Sequence, residues 1–348
     1  MVYFFFFSVE QAKGQNVKKE RESYKFDEVV ITGTRTEKKL LEVPVRTEVV
    51  TREEIEQTHA RDLKEALEDV PGLLLRQTHG KQGQEVWMQG FDSDRVLILL
   101  DGERLTATTG STVDLTQITT ANIERIEIIK GATSALYGSE AMGGVINVIT
   151  KSPTKPLSFT FQSDAGSYGN KNREGAALNG NLGAAHYMAD MNLNRPRWNL
   201  QLTTDLRQSE GIDLDKSSVR TDGDKGFRWN LDTRLAFRLP GNGEIYLSPH
   251  YYQEDKDRLF TTFVPGVGTS IRKYLEEAKR WRVSVGGKTL SETGSRLSVA
   301  LTYEYLNDVS SQDIVASPQI DQKRTADIFK VTPAHGTRFG LRRSPLKQ

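Results

Sequence analysis

The stretch from Ile123 to Lys151, IERIEIIKGATSALYGSEAMGGVINVITK, decides how the rest of the chain is read. It spells a strand, a glycine-punctuated bend and a second strand. Ile126, Ile128 and Ile129 are the apolar residues of the first strand. Val145, Ile146, Val148 and Ile149 are those of the second. Gly131, Gly138, Gly143 and Gly144 stand where the backbone must turn or be approached closely. On residue chemistry alone this is a compact β or α/β unit. Gly138–Gly144 invites comparison with a phosphate loop, but no Lys-Ser/Thr pair follows it, and nucleotide binding is not expected.

Upstream, Val45–Val50 reads as a short strand. Thr51 then opens a helix with Glu54 at the capping-box spacing. Ala60–Asp69 reads as a second helix with Leu63, Ala66, Leu67 and Val70 on one face, stopped by Pro71-Gly72. Leu73–Gln77 and Val86–Gln89 are strand candidates. Val96–Leu100 is almost wholly apolar, as a strand buried on both faces should be. Asp101-Gly102 turns it into Glu103-Arg104-Leu105. Thr106–Thr120 reads as loop.

Composition sets bounds. The chain has 348 residues, 47 Lys+Arg against 46 Asp+Glu, a net charge of +1 and no cysteine. That length suggests two domains. Charge balance argues against a dedicated nucleic-acid binder. Lack of cysteine removes disulfides, thiolate metal sites and thiol nucleophiles. No run of eighteen apolar residues offers a transmembrane helix, which leaves a β-barrel open. The five histidines are scattered without ligand spacing, and no Gly-x-Ser-x-Gly or Ser-x-x-Lys occurs, so no enzyme is expected.

The wording of Ile123–Lys151 resembles the end of the plug domain of TonB-dependent outer-membrane receptors, where a phrase like IERIEVVRG…LYGSxAxGGVINIITK leads into the barrel. DEVVITGTRTEK from Asp27, the LKEALEDVPGLLL helix and VLILLDGERL carry the same resemblance, in the right order, over roughly residues 27–151. It is nearest the cobalamin and catecholate-siderophore/colicin receptor branch. The resemblance implies an α+β plug domain followed by antiparallel transmembrane β-barrel strands. It implies an outer-membrane location in a Gram-negative bacterium and uptake of a ferric siderophore, haem or cobalamin. It also implies a TonB box at Asp27, Glu28, Val29, Val30, Ile31 and Thr32, pairing by strand addition with a TonB-type periplasmic energy-transducing protein. The plain alternative for that segment is an ordinary first strand. Gln89 departs from the family: GQEVWMQGF stands where an IRG-type phrase is usual, and that arginine is thought to help tie plug to barrel wall.

Beyond Pro153 helical patterns vanish and alternating segments begin. Trp229, Leu231, Thr233, Leu235 and Phe237 oppose Arg228, Asn230, Asp232, Arg234 and Arg238. Trp198, Leu200, Leu202 and Leu206 oppose Asn199, Gln201, Thr203, Asp205 and Arg207. Leu297, Val299, Leu301, Tyr303 and Tyr305 form a third apolar row. Runs of about eleven residues suit a tilted bilayer crossing, with one face to outer-membrane lipid and one to a hydrated lumen. Trp198, Trp229 and Trp281 fit an interfacial girdle. Strands are expected near 157–165, 184–194, 197–207, 226–239, 244–254, 279–290, 296–308 and 321–330, joined by alternating long and short connections, with 166–183 as loop.

The expected organisation is a leader or signal remnant over 1–26, the box segment over 27–36, the plug over 37–152, barrel strands over 153–330 and an irregular tail over 331–348. Eight strands fall short of the about 22 that a plugged lumen needs. An N-terminal receptor fragment is therefore expected, with a small eight-stranded barrel as the weaker alternative. A soluble or surface module with an α/β head and β-sandwich, and an inactive truncated gene product, are the other readings. With 26 residues ahead of the box, no separate signalling domain is expected. Asp213, Asp215, Asp222 and Asp224 in loop 208–225 are candidate Ca2+ ligands, a solvated acidic loop being the plainer reading; no other cofactor is expected. Phe260, Phe263 and Tyr274, in a loop spanning Asp255–Ala278, are candidate contacts for a small-molecule metal chelate or cobalamin.

Overall fold

The computed structural model describes residues 29–30, 38–39, 47–78, 83–105, 112–132, 137–173, 183–215, 217, 221, 223–240, 243–264, 268–290, 296–314 and 317–338. Two compact units divide between Ser152 and Pro153.

The first unit begins with a two-residue pairing, β1 (Val29–Val30) antiparallel to β2 (Lys38–Lys39). Strand β3 (Thr47–Thr51) leads into helix α1 (Arg52–Gln57). The expected capping box is present: the Thr51 side chain accepts from the Glu54 amide, and the Glu54 carboxylate accepts from the Thr51 amide at 2.9 Å. Helix α2 (Leu63–Leu67) is shorter than the expected Ala60–Asp69, because Asp62 takes an extended conformation and accepts from the Glu65 amide. That side chain offers the first turn a cap three residues inside the apolar pattern.

Strands β4 (Leu73–Gln77) and β5 (Gln84–Met88) form a hairpin. After β6 (Val96–Leu100), Asp101 and Gly102 take positive φ and return the chain as β7 (Glu103–Arg104), the turn type that suits strand twist. Strands β8 (Ile123–Lys130) and β9 (Gly144–Thr150) complete a five-stranded sheet of order β3-β8-β9-β6-β7, in which only β6 and β9 are parallel.

Period-2 alternation splits the central strands between two cores. Val96, Ile98, Ile126, Ile128, Ile146 and Val148 face Ile55, Leu63 and Leu67 of the helices and Val86 and Met88 of the hairpin. Leu97, Leu99 and Val145 face the other way, against Ala141. That is why VLILL has no polar residue. At about 1.5–3 kcal/mol per buried side chain, this burial is what offsets the entropy of ordering the unit. Gly144 shows what the glycine bend is for. Its φ is +150°, and a Cβ there would stand 2.3 Å from both the Ile129 carbonyl oxygen and the Met88 sulfur.

The second unit is an eight-stranded antiparallel sheet in sequence order. Its strands are β10 (Leu157–Gly166), β11 (Ala184–Asn194), β12 (Trp198–Glu210), β13 (Lys225–Leu239), β14 (Gly243–Val264), β15 (Gly268–Leu290), β16 (Arg296–Ile314) and β17 (Ser317–Arg338). The register keeps one parity on each face. Asp190 is opposite Thr203 and then Asp232, while Met191 is opposite Leu202 and then Thr233. The burial is inverted relative to a soluble sandwich. Phe159, Phe161, Trp281, Val285, Val299 and Leu301 are more than half exposed, whereas Gln201, Thr203, Asp205 and Asn230 are each 1 % exposed. Apolar-out, polar-in strands are the membrane-barrel pattern, whereas a sandwich buries its apolar face. Among the described residues no helix is long and apolar enough to cross a membrane.

Three expectations are corrected. Residues 255–264 and 268–278 are not loop: β14 and β15 run 22 and 23 residues and pair from Glu244↔Lys288 to Val264↔Gly268. β17 continues to Arg338, so 331–338 is strand rather than irregular tail. The tryptophans do not form one row. Trp229 and Trp281 flank Tyr251, with ring centroids 5.1 and 4.3 Å away, but Trp198 is opposite Phe237, at the other end of the apolar band. Strand starts alternate between the two ends of an antiparallel sheet, so a shared sequence setting does not place them at one height.

Two substitutions test this architecture. Gly144→Ala is expected to cost on the order of 2–3 kcal/mol, read as faster amide hydrogen exchange across β8 and β9. Leu235→Arg, outward in the middle of the apolar band, is expected to cost about 2–4 kcal/mol, read as a lower urea midpoint for the chain folded in lipid vesicles. Leu235→Met should stay within about 1.5 kcal/mol of the parent.

Candidate functional site

The box falls largely outside the described residues: Asp27, Glu28, Ile31 and Thr32 lie there. Val29 and Val30 are described, as the two-residue strand paired antiparallel with Lys38–Lys39.

Phe260 and Tyr274 sit on paired strands and share one face. The register puts Phe260 opposite Arg272 and Arg258 opposite Tyr274. The two rings are 5.6 Å apart and tilted by 43°. The Tyr274 hydroxyl accepts from Gln312 Nε2 on β16 at 2.8 Å, and Arg258 pairs with Asp224 at 2.7 Å. By parity this is the polar face, continuous with the buried group in which Glu254 accepts from Arg228 and from the Tyr252 hydroxyl. Lys256 bridges from Glu254 to Glu276. Phe263 is not part of the cluster. It lies on the opposite face, opposite Thr269, and is 72 % exposed. Arg258, Arg272 and Gln312 were missed from sequence. Continuing the even-numbered parity of Tyr252 and Glu254 past Lys256 would have found the first two.

Of the candidate metal ligands, Asp213, Asp215 and Asp224 are described. Asp215 accepts from the Ser217 side chain and backbone, and these bonds hold its carboxyl below the usual carboxylate range. Asp224 is taken by Arg258, and the Asp213 amide bonds to the Lys171 carbonyl. Asp222 lies outside the described residues. Among those described, no three acidic or histidine side chains converge as a metal site. Gln89, the departure from the family arginine, occupies a tight turn with Gly90: both have positive φ, and Met88 and Phe91 exchange backbone hydrogen bonds across it at 3.1 and 2.9 Å.

Residues 39–145 match the family model described as the TonB-dependent receptor plug domain, and the first unit is a domain of that family. With the inside-out antiparallel sheet that follows, the chain is similar in organisation to the TonB-dependent outer-membrane receptors. Two similar curated relatives are vitamin B12 transporters BtuB. That of Vibrio vulnificus is 42 % identical over 142 residues, and that of Vibrio cholerae strain O395 is 40 % identical over 140. Each match covers 40 % of this chain and 23 % of the relative, so the chain spans about a quarter of their length. Among solved structures, Pseudomonas aeruginosa FpvA bound to a heterologous pyoverdine has a TM-score of 0.57 at 15 % identity, over 93 % of this chain and 53 % of that one. The FpvAI–pyocin S2 complex has 0.53 at 16 %, over 88 % and 47 %. At those identities the likeness is one of fold.

The hydrogen bonds at Asp215 give a titration to check. Its carboxyl should titrate below an ordinary aspartate, and Ser217→Ala should move it upward by part of the difference, since the backbone donor remains. Carbon-detected NMR across the acid range reads both values.

Proposed function

We propose that this protein works in TonB-dependent uptake of a scarce nutrient, a ferric chelate, haem or cobalamin, across the outer membrane. The observation that carries the reading is the order of its two units: a plug domain, then strands that expose apolar residues and bury polar ones. The curated relatives are vitamin B12 transporters, which supports the nutrient class, and one fold neighbour is bound to a pyoverdine, so the ligand stays open between chelate and corrinoid. The end of the sheet where β14 and β15 run about 40 Å past the Tyr251 level is the end that meets the exterior, because barrels of this kind keep their short turns on the periplasmic side. There Phe260 and Tyr274 offer ring faces, and Arg258 and Arg272 offer guanidinium donors. In this reading Phe260, Tyr274, Arg258 and Arg272 contact ligand. The box segment Asp27–Thr32 adds a strand to the periplasmic partner, and the energised partner draws on it. Binding alone would trap the ligand; traction on a low-stability element opens a path. In this scheme the apolar strand face meets lipid.

Uptake of labelled cyanocobalamin and of a labelled ferric tris-catecholate, in cells expressing the protein, tests the proposal. One probe should accumulate in an energy-dependent way. Val30→Pro should lower that accumulation by at least about tenfold, since proline removes a ladder donor, while surface binding persists. Full uptake by Val30→Pro would overturn the box assignment.

A further inference from the structure

Lys130 ends β8, and its ammonium is shared between two other elements. It donates to the Glu48 carboxylate on β3 and to the Pro71 carbonyl in the turn between α2 and β4. The lysine side chain is 11 % exposed, its Glu48 partner 30 %. The turn closes directly on it: a Cβ on Gly72 would stand 3.8 Å from the same nitrogen. One cation, one residue beyond the end of the β3–β8 ladder, therefore joins Glu48 on its second rung to the base of the β4–β5 hairpin.

What it joins is the edge of the sheet. β3 pairs with β8 alone, over five residues from Thr47↔Ile129 to Thr51↔Arg125, and past Thr47 it is only half-buried. A second cation closes its far end, where Arg52 donates to the carbonyls of Thr120 at 2.7 Å and Ile123 at 3.2 Å. By chain order, tension on Asp27–Thr32 reaches β3 before any other strand of the five-stranded sheet. Glu48 is the first charged anchor it meets there. A charge-assisted bond at a half-exposed carboxylate is strong while made and cheap to replace by water once broken.

We propose that Lys130 is the positioning residue that sets the load at which β3 leaves the plug sheet, its second bond coupling that release to the Pro71–Gly72 turn. This rests on the uptake reading above for its purpose, but its physical content is measurable without ligand or partner.

The test is amide hydrogen exchange on the intact chain in lipid vesicles, followed in peptides covering 47–51, 71–77 and 144–150. Lys130→Met keeps the aliphatic stem and removes both bonds. It is expected to speed exchange over 47–51 by roughly ten- to a hundredfold, to speed 71–77 less, and to leave 144–150 unchanged. Lys130→Arg should restore protection. Glu48→Gln, a milder change should Lys130→Met fail to fold, should speed 47–51 alone. Pulling the chain from an N-terminal handle gives the mechanical readout: the first rupture should fall in force in Lys130→Met while later ruptures keep theirs. Unchanged exchange over 47–51, equal acceleration of all three peptides, or an unchanged first rupture would overturn the proposal and leave the uptake reading standing. Uptake of neither probe by the parent protein would remove the uptake reading, and full uptake by Val30→Pro would remove the box assignment, in both cases without altering the exchange result.

Discussion

In hydrocarbon no water is available to an unpaired peptide group, so a chain that enters a bilayer as strands must pair every strand and turn its apolar side chains outward. Among the described residues, β11 to β16 are paired on both sides and β10 and β17 on one side each, and the apolar side chains of the sheet face outward. Each antiparallel neighbour keeps Met191, Leu202 and Thr233 on one face and Asp190, Thr203 and Asp232 on the other. A slip of one residue in any strand would put a row of carboxylates and guanidinia into lipid. The ionic pairs on the polar face, Arg228 with Glu254 and Lys256 with Glu276, reinforce the same register from within.

The first unit answers to a different constraint. It is small and must bury enough apolar surface against two short helices and a hairpin to stay ordered, yet it ends in an edge strand with only one neighbour. Its centre is apolar on both faces through β6 and β9, while β3 is half-buried and held by ladder bonds and two cations. Burial is thus graded from centre to edge.

The lipid constraint on the sheet ends where its strands leave the apolar band. Past Tyr251 and Trp281 the outward residues become Gln253, Asp255, Lys279 and Glu277, yet β14 and β15 remain paired to Val264 and Gly268. The hairpin therefore carries barrel geometry out of the lipid-facing zone, and with it the parity that places Phe260, Tyr274, Arg258 and Arg272 on one face. A loop would not have fixed these side chains relative to one another.

The sequence by itself determined the plug wording, the Thr51–Glu54 cap, the two-faced burial of Val96–Leu100, the Gly143-Gly144 close approach and the inside-out alternation of the sheet. These depend on interactions between residues a few positions apart or on a strict period, so they are written locally. The tertiary structure decided the rest. It shortened α2 at Asp62, turned residues 255–264 and 268–278 into paired strand, separated Phe263 from Phe260 and Tyr274, and placed Trp198 at the end of the band opposite Trp229 and Trp281. It also brought Lys130 to Glu48 and Pro71, residues far apart in the chain. Each of these follows from cross-strand register and from which carbonyl or carboxylate lies within reach, and neither is set until the strands have found their partners.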